Sequence, residues 1–177
     1  MSWFSRVVWS EGLFLQPQHF QQQDRHAAWW VESRVAPLFG NHWGFSHLVI
    51  DEAALLAGKL AIVEARGVLP DGTPFDIPGI DLPPPALDFP KDAKDQLVCL
   101  ALPLRRAQGL EVSLDSADAT ARLARYEPVD FEVSDAHTEK GGAVGIQVGQ
   151  PKLRLALSDP LTDAYARAAN KGQLRAV

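Results

Sequence analysis

Proline placement constrains this chain more than any other feature. Pro17 and Pro37 frame residues 18–36, which hold neither Pro nor Gly. Proline is tolerated at the first helical position, where no backbone donor is needed, and it stops a helix that runs into it. The spacing predicts one long helix from Pro17 to about Ala36. Five further prolines lie between residues 78 and 90, in IPGIDLPPPALDFP, which rules out a helix or a central strand there. That segment reads as an extended loop, ordered only where it packs on something.

Between these punctuation marks the apolar runs are short. Leu48–Ile50, Leu60–Val63 and LVCLALPL (97–104) have strand length. Asp71-Gly72 in PDGTPF supplies the positive φ of a tight connection. Val144, Ile146 and Val148 alternate, as do Leu153, Leu155 and Leu157, and each set reads as a strand with one buried face. EKGGAVG (139–145) reads as a flexible turn. SADATARLARY (116–126) admits a short helix or, as the rival, a strand from Arg122 through Val133. The Ala-rich tail after Asp159 reads as helix. The expected fold is mainly β: a β-sandwich with an N-terminal α-helix, comprising an arm over 1–16 and a domain over 17–177.

Composition closes off several functions. Of 177 residues, 46% are hydrophobic and 22% charged, enough for a packed core. The formal net charge is −5 and no basic run stands out, which disfavours nucleic acid and a polybasic membrane anchor. The longest apolar run is too short to cross a bilayer, and Ser10 and Glu11 interrupt any signal-like start. A cytoplasmic location is expected. Cys99 is single, so no internal disulfide is possible, and it reads as a small buried apolar residue.

Catalytic and metal signatures are missing. No G-x-S-x-G, C-x-x-C, H-E-x-x-H or phosphate loop occurs. His19 and His26 share a helix face but stand about 10.5 Å apart along the axis, too far for one metal. His42 and His47 flank Trp43 in NHWGFSH, where turn or strand-end roles outweigh ligation. The pairs Asp92/Asp95 and Asp115/Asp118 sit in polar segments, without the desolvation that acid catalysis needs. No cofactor or metal is expected, and the chain does not read as an enzyme.

What remains is apolar surface at the chain start, in VVWSEGLFLQPQHFQQQDRHAAWW. At about 100° per residue, Phe20, Ala27, Val31, Val35 and Leu38 form one stripe, the expected core face. Trp29 falls opposite, and Trp30 lies beside His19 and His26. Either the sheet packs on both helix faces, or one face is kept for a partner. The candidate interface comprises Trp3, Val7, Trp9, Glu11, Leu13, Phe14, Leu15, His19, Phe20, Gln21 and Trp29. Trp9, Phe14 and Phe20 are the candidate anchors, and Glu11, His19 and Gln21 the candidate hydrogen-bonding groups. The alternative is that the arm is simply fixed to its own domain.

The same residues carry a resemblance. Val7, Trp9, Glu11, Gly12, Leu13, Phe14, Leu15, Pro17, Gln18, His19, Phe20, Gln21, Gln23, Asp24 and Arg25 match the pattern V-x-W-x-E-G-L-F-L-x-P-Q-H-F-Q-x-Q-D-R. This opening is similar to that of the TssK (ImpJ/VasE) family of type VI secretion baseplate subunits. LPDGTPFDIP (69–78) and the pair Trp43-Gly44 match further; after residue 90 the likeness is one of order and texture. The resemblance implies a β-sandwich similar to the shoulder domain of phage receptor-binding proteins. It also implies docking onto a wedge of TssF and TssG, self-association as trimers, and no catalysis. The chain ends where the first family domain should end. The later helical and head regions are therefore expected to be absent, and with them the contact to the membrane complex. The competing expectation is a carbohydrate- or ligand-binding β-sandwich using Trp43 and His47.

Overall fold

In the computed structural model, residues 2–38, 42–90, 96–107, 109–113, 123–135, 137 and 142–157 are described. The tail from residue 158, the stretch 114–122 and the acidic pairs at 92/95 and 115/118 lie outside them, as do residues 139–141 of the turn at 139–145. The chain divides into two compact units. The first holds residues 1–44 and 68–73, the second residues 45–67 and 74–177. The architecture is mainly β with an N-terminal helix.

The first unit is built on helix α1, Pro17–Val35, followed by a 3-10 turn at Ala36–Leu38. Pro17 occupies the first turn as expected. Gln16 is the N-cap, and its backbone N–H donates to His19 Nδ1 at 3.1 Å. The imidazole thus does the work that Glu or Gln does in a capping box. No residue of α1 is buried. Phe20, Ala27, Val31, Val35 and Leu38 are all exposed, so the stripe read as a core face is not one. The arm folds back instead onto the opposite, polar-aromatic face. The physical reason is hydrogen bonding. The arm presents backbone carbonyls, and Gln22 and His26 on that face meet them.

The same unit contains the turn at residues 69–73. Leu69 N–H donates to Thr73 O at 2.8 Å, and Gly72 N–H donates to Leu69 O at 2.9 Å. Asp71 Oδ1 accepts from Thr73 N–H at 3.1 Å. Gly72 has φ +81°, the conformation expected for the Asp-Gly pair. A Cβ there would also run into the Glu32 carboxylate of α1. Glu32 in turn pairs with His42 Nε2 at 2.6 Å.

The second unit holds the strands. A three-stranded sheet has the order β1-β3-β4, with β1 at Gly44–Ile50, β3 at Ile62–Val68 and β4 at Pro74–Ile77. β2 (Lys59–Leu60) pairs antiparallel with β5 (Leu87–Asp88). β6 (Val98–Ala101) pairs with β9 (Arg154–Leu157), and β7 (Tyr126–Ser134) pairs with β8 (Ala143–Pro151). Thus the rival strand reading near residue 126 holds for the part described. A short helix, α2 at Glu52–Leu56, was not anticipated; Asp51 caps it by accepting from Ala54 N–H at 3.0 Å. Gly58, at φ +79°, follows its end.

The core of this unit is small and centred on β3 and β4. Ile62, Ala65, Phe75, Ile77, Ala124 and Leu153 are buried, and Phe45 meets Phe75 edge-on at 5.4 Å. The Pro-rich loop, expected to be ordered only where it packs on something, is tied down at both ends. Asp81 is buried and accepts from Asp76 N–H at 2.9 Å, while β5 and the Phe89 N–H to Gly58 O bond (3.0 Å) hold its far end. Arg125 is also buried, donating to Pro103 O at 2.8 Å. Two expectations of burial need correction. LVCLALPL forms β6, but β6 is half-buried, and among the described strands β9 alone pairs with it. Burial raises the Cys99 thiol above its ordinary pKa, which keeps it protonated at neutral pH. β8 alternates as expected, yet Val144, Ile146 and Val148 are exposed.

Two outcomes follow for stability. Gly72→Ala should cost about 1–3 kcal/mol in urea denaturation, from left-handed backbone strain plus displacement of the Glu32 carboxylate from its His42 pair. Gly12→Ala should cost less, because Gly12 shares the positive φ but a Cβ there meets open space. Equal losses would contradict this account. His19→Ala should cost about 1 kcal/mol through the lost cap, and His19→Gln should recover most of it.

Candidate functional site: the N-terminal arm and helix

The arm is held by a row of side chains one helical turn apart. Gln22 Nε2 donates to Trp3 O at 3.0 Å and to Ser5 O at 2.6 Å. Arg25 orients that amide: its Nε and Nη2 donate to Gln22 Oε1 at 3.3 and 2.7 Å. With Oε1 occupied by a cation, the NH₂ group faces the arm. One turn on, His26 Nδ1 bonds Phe4 O at 2.9 Å.

Aromatic contacts follow the same track. The Arg25 guanidinium sits 5.2 Å from the Trp3 ring centroid. Phe4 stacks on Trp29 at 6.0 Å with an interplanar angle of 18°, and His26 lies 5.9 Å from Trp29. Further along, Trp9 stands 6.2 Å from His19 and 6.4 Å from Phe20. Gly12, at φ +79°, turns the chain between Ser10 and Leu13, whose N–H donates to Ser10 O at 3.2 Å.

Three hydrogen bonds at about 1 kcal/mol each, plus a cation–π contact and a stacked pair, come to roughly 5 kcal/mol. Ordering residues 3–5 costs about 3–6 kcal/mol of backbone entropy. The clamp is therefore close to balance, and residues 6–15 have fewer ties still.

The candidate residues sort into two groups. Trp3, Val7, Leu13 and His19 are half-buried, and His19 is occupied as a cap. Glu11 and Gln21 are exposed polar groups. Trp9, Phe14, Leu15, Phe20 and Trp29 are exposed, Phe14 most of all at 81%. Trp29 is nonetheless engaged by Phe4, which the sequence reading had not foreseen. Gln22 and Arg25 were missed as clamp residues. Their signal was available: Gln and Arg lie on the His26 face, three residues apart.

The ligand reading fares less well. His47 on β1 pairs with Glu64 on β3 at 3.1 Å, and His42 pairs with Glu32. Among the described residues no group of three or more His, Cys, Asp or Glu could hold a metal. A cleft of about 220 Å³ in the second unit is lined by Leu104, Arg106, Leu110, Glu111, Leu123 and Arg125. It is smaller than the ~300–1,000 Å³ usual for ligand pockets, and neither Trp43 nor His47 lines it. No described helix is long and apolar enough to cross a membrane.

Comparison with known proteins gives these features a context. Residues 19–169 match the family described as bacterial type VI secretion, VC_A0110, EvfL, ImpJ, VasE. The type VI secretion system baseplate component TssK1 of Pseudomonas aeruginosa is 46% identical over 155 residues, covering 88% of this chain and 34% of that protein. A crystal structure of TssK superposes with TM-score 0.78 at 35% identity, covering 87% of this chain and 34% of that one. The cryo-electron microscopy structure of a type VI TssK-TssF-TssG baseplate subcomplex superposes with TM-score 0.74 at 26% identity, over 88% and 51% of the two chains. The chain spans about a third of the length of the curated relative it matches. With that relative 46% identical over most of its residues, this chain belongs to the VasE/ImpJ family of type VI secretion proteins, the family of TssK.

Proposed function

We propose that this chain acts as a structural adaptor in a type VI baseplate, docking onto a wedge of TssF and TssG through its arm and first helix. The observation that carries this reading is the exposure of Trp9, Phe14 and Phe20 within the segment that bears the family signature. Exposed rings gathered around the start of α1 suit anchoring in a partner's pockets. The similarity to a TssK chain solved with TssF and TssG supports the choice of partner. Self-association as a trimer, a cytoplasmic location and a link to the membrane complex belong to the same proposal. The last of these is assigned to regions that the longer relatives have and this chain does not span.

Phe14 provides the cleanest test. At 81% exposure its removal should shift stability by no more than about 0.5 kcal/mol. Phe14→Ala should nonetheless weaken capture of a co-expressed TssF–TssG wedge by on the order of tenfold or more, as a central anchor does. Trp9→Ala and Phe20→Ala should act in the same direction. Deletion of residues 1–15 should abolish capture while the strands of the second unit still melt cooperatively. Undiminished capture by the folded truncation would exclude the arm as the docking element. His47→Ala, remote from the arm in sequence and already paired, should leave capture unchanged.

A further inference from the structure

The β7–β8 ribbon carries a second surface, separate from the arm. Its register places Val129 opposite Val148, Phe131 opposite Ile146 and Val133 opposite Val144. These six apolar side chains share one face, and all are exposed. Asp130 and Glu132 lie on the other face. Neither β7 nor β8 contains a Lys or Arg, and neither acid is ion-paired among the described residues. A two-stranded ribbon on its own is marginal in water, and among the described elements these two strands pack principally on each other.

The hydrogen-bond phase of the ribbon follows from three observations. Tyr126 N–H turns away from β8 to donate to Glu111 O at 2.9 Å. Lys152 N–H donates to Arg125 O at 2.9 Å, so the 125/152 pair is a bonded one. Pro128, opposite Gly149, has no N–H to give. Bonded and non-bonded pairs alternate along an antiparallel ladder. The backbone groups of Ala143, Gly145, Gln147 and Gly149 therefore point away from β7, along the outer edge of β8.

The two edges differ at one end. On β7 the outward N–H of Tyr126 is taken, Val112 bridges there and Pro128 has no N–H, which leaves only Asp130, Glu132 and Ser134 with outward N–H groups. On β8 four consecutive outward positions keep donor and acceptor, and no described strand pairs with them. A Cβ at Gly145 would meet nothing within 4 Å, so no internal packing demands glycine there. Glycine within a strand often marks close approach by another backbone.

We propose that the outer edge of β8 is a strand-addition site for an extended segment of a partner protein, apolar at alternate residues and basic at the intervening ones. The added backbone completes the ladder at Ala143, Gly145, Gln147 and Gly149. Its apolar residues extend the Val144–Ile146–Val148 row, and its Lys or Arg side chains lie on the face that carries Asp130 and Glu132. Charge selects this occupant over a second copy. Pairing β8 with β8 of another copy would put two sets of Asp130 and Glu132 on one sheet face, with no cation between them.

The test uses the whole 177-residue chain with two labelled peptides, acetyl-VKVKVKV-amide and acetyl-VEVEVEV-amide. Fluorescence anisotropy should give the lysine peptide an affinity on the order of tenfold higher, with the preference shrinking as salt is added. On binding, amide exchange should slow at Gly145, Gln147 and Gly149 and stay unchanged at Val144, Ile146 and Val148. Gln147→Pro removes an outward donor along with the Gln147 Nε2 bond to Asp130 Oδ1 (3.2 Å) and should weaken binding about tenfold, whereas Gln147→Ala, which loses only the side chain, should not. A second variant, Asp130→Lys with Glu132→Lys, leaves the edge intact and should reverse the preference toward the glutamate peptide. Equal affinity for both peptides, no protection at the outward amides, or an unreversed preference in the charge variant would overturn the proposal. So would a concentration-dependent rise in mass that Gln147→Pro abolishes, which would identify a second copy as the occupant.

Discussion

The Gln22 carboxamide is the pivot of the first unit. It is held by Arg25 on its oxygen and spends both amide hydrogens on the carbonyls of Trp3 and Ser5. Reversing its two ends would set Oε1 against two carbonyls and Nε2 against a guanidinium. Arg25 therefore decides where the arm lies, although it touches the arm only through the Trp3 ring. Once the arm lies on that face of α1, the apolar stripe on the opposite face is left exposed. Phe20 stays exposed on that stripe, with only the Trp9 ring of the arm near it at 6.4 Å.

The turn at Gly72 illustrates how a short motif can be constrained twice. The positive φ alone favours glycine. The Glu32 carboxylate, drawn to His42, fills the space where a side chain would stand. The second block of family likeness, LPDGTPFDIP, thus combines a turn that closely approaches α1 with two buried residues of β4. Phe75 and Ile77 of that block belong to the small core, and Asp76 and Asp81 fasten the start of the Pro-rich loop.

Much of the remaining chain is strand pairing with little burial. β8 presents apolar residues on one face and glycines or Gln147 on the other, and β7 matches it with acids. An arrangement of this kind suits a subunit that works within an assembly, where surfaces left open in the separate chain have neighbours to meet. The arm and the ribbon differ in chemistry. The first offers aromatic anchors, and the second offers a polar edge beside an apolar row.

The boundaries of α1, the turn at Asp71-Gly72, the extended Pro-rich loop and most of the strands were legible in the residues alone. These depend on local physics: the fixed φ of proline, the free φ of glycine, and side-chain alternation along a strand. The sequence also carried the family likeness, through a run of residues in unbroken order. α2 was legible in Asp51 and Gly58 but was passed over, because five residues show no period. Burial was decided only by tertiary structure. A stripe of Phe20, Val31 and Val35 has the same pattern whether it meets a core or solvent, and so has Val144, Ile146 and Val148. Which face is covered depends on where distant donors such as Gln22 and His26 find acceptors, and on how many strands pair beside β6 and β8. Those are long-range contacts, and no local periodicity encodes them.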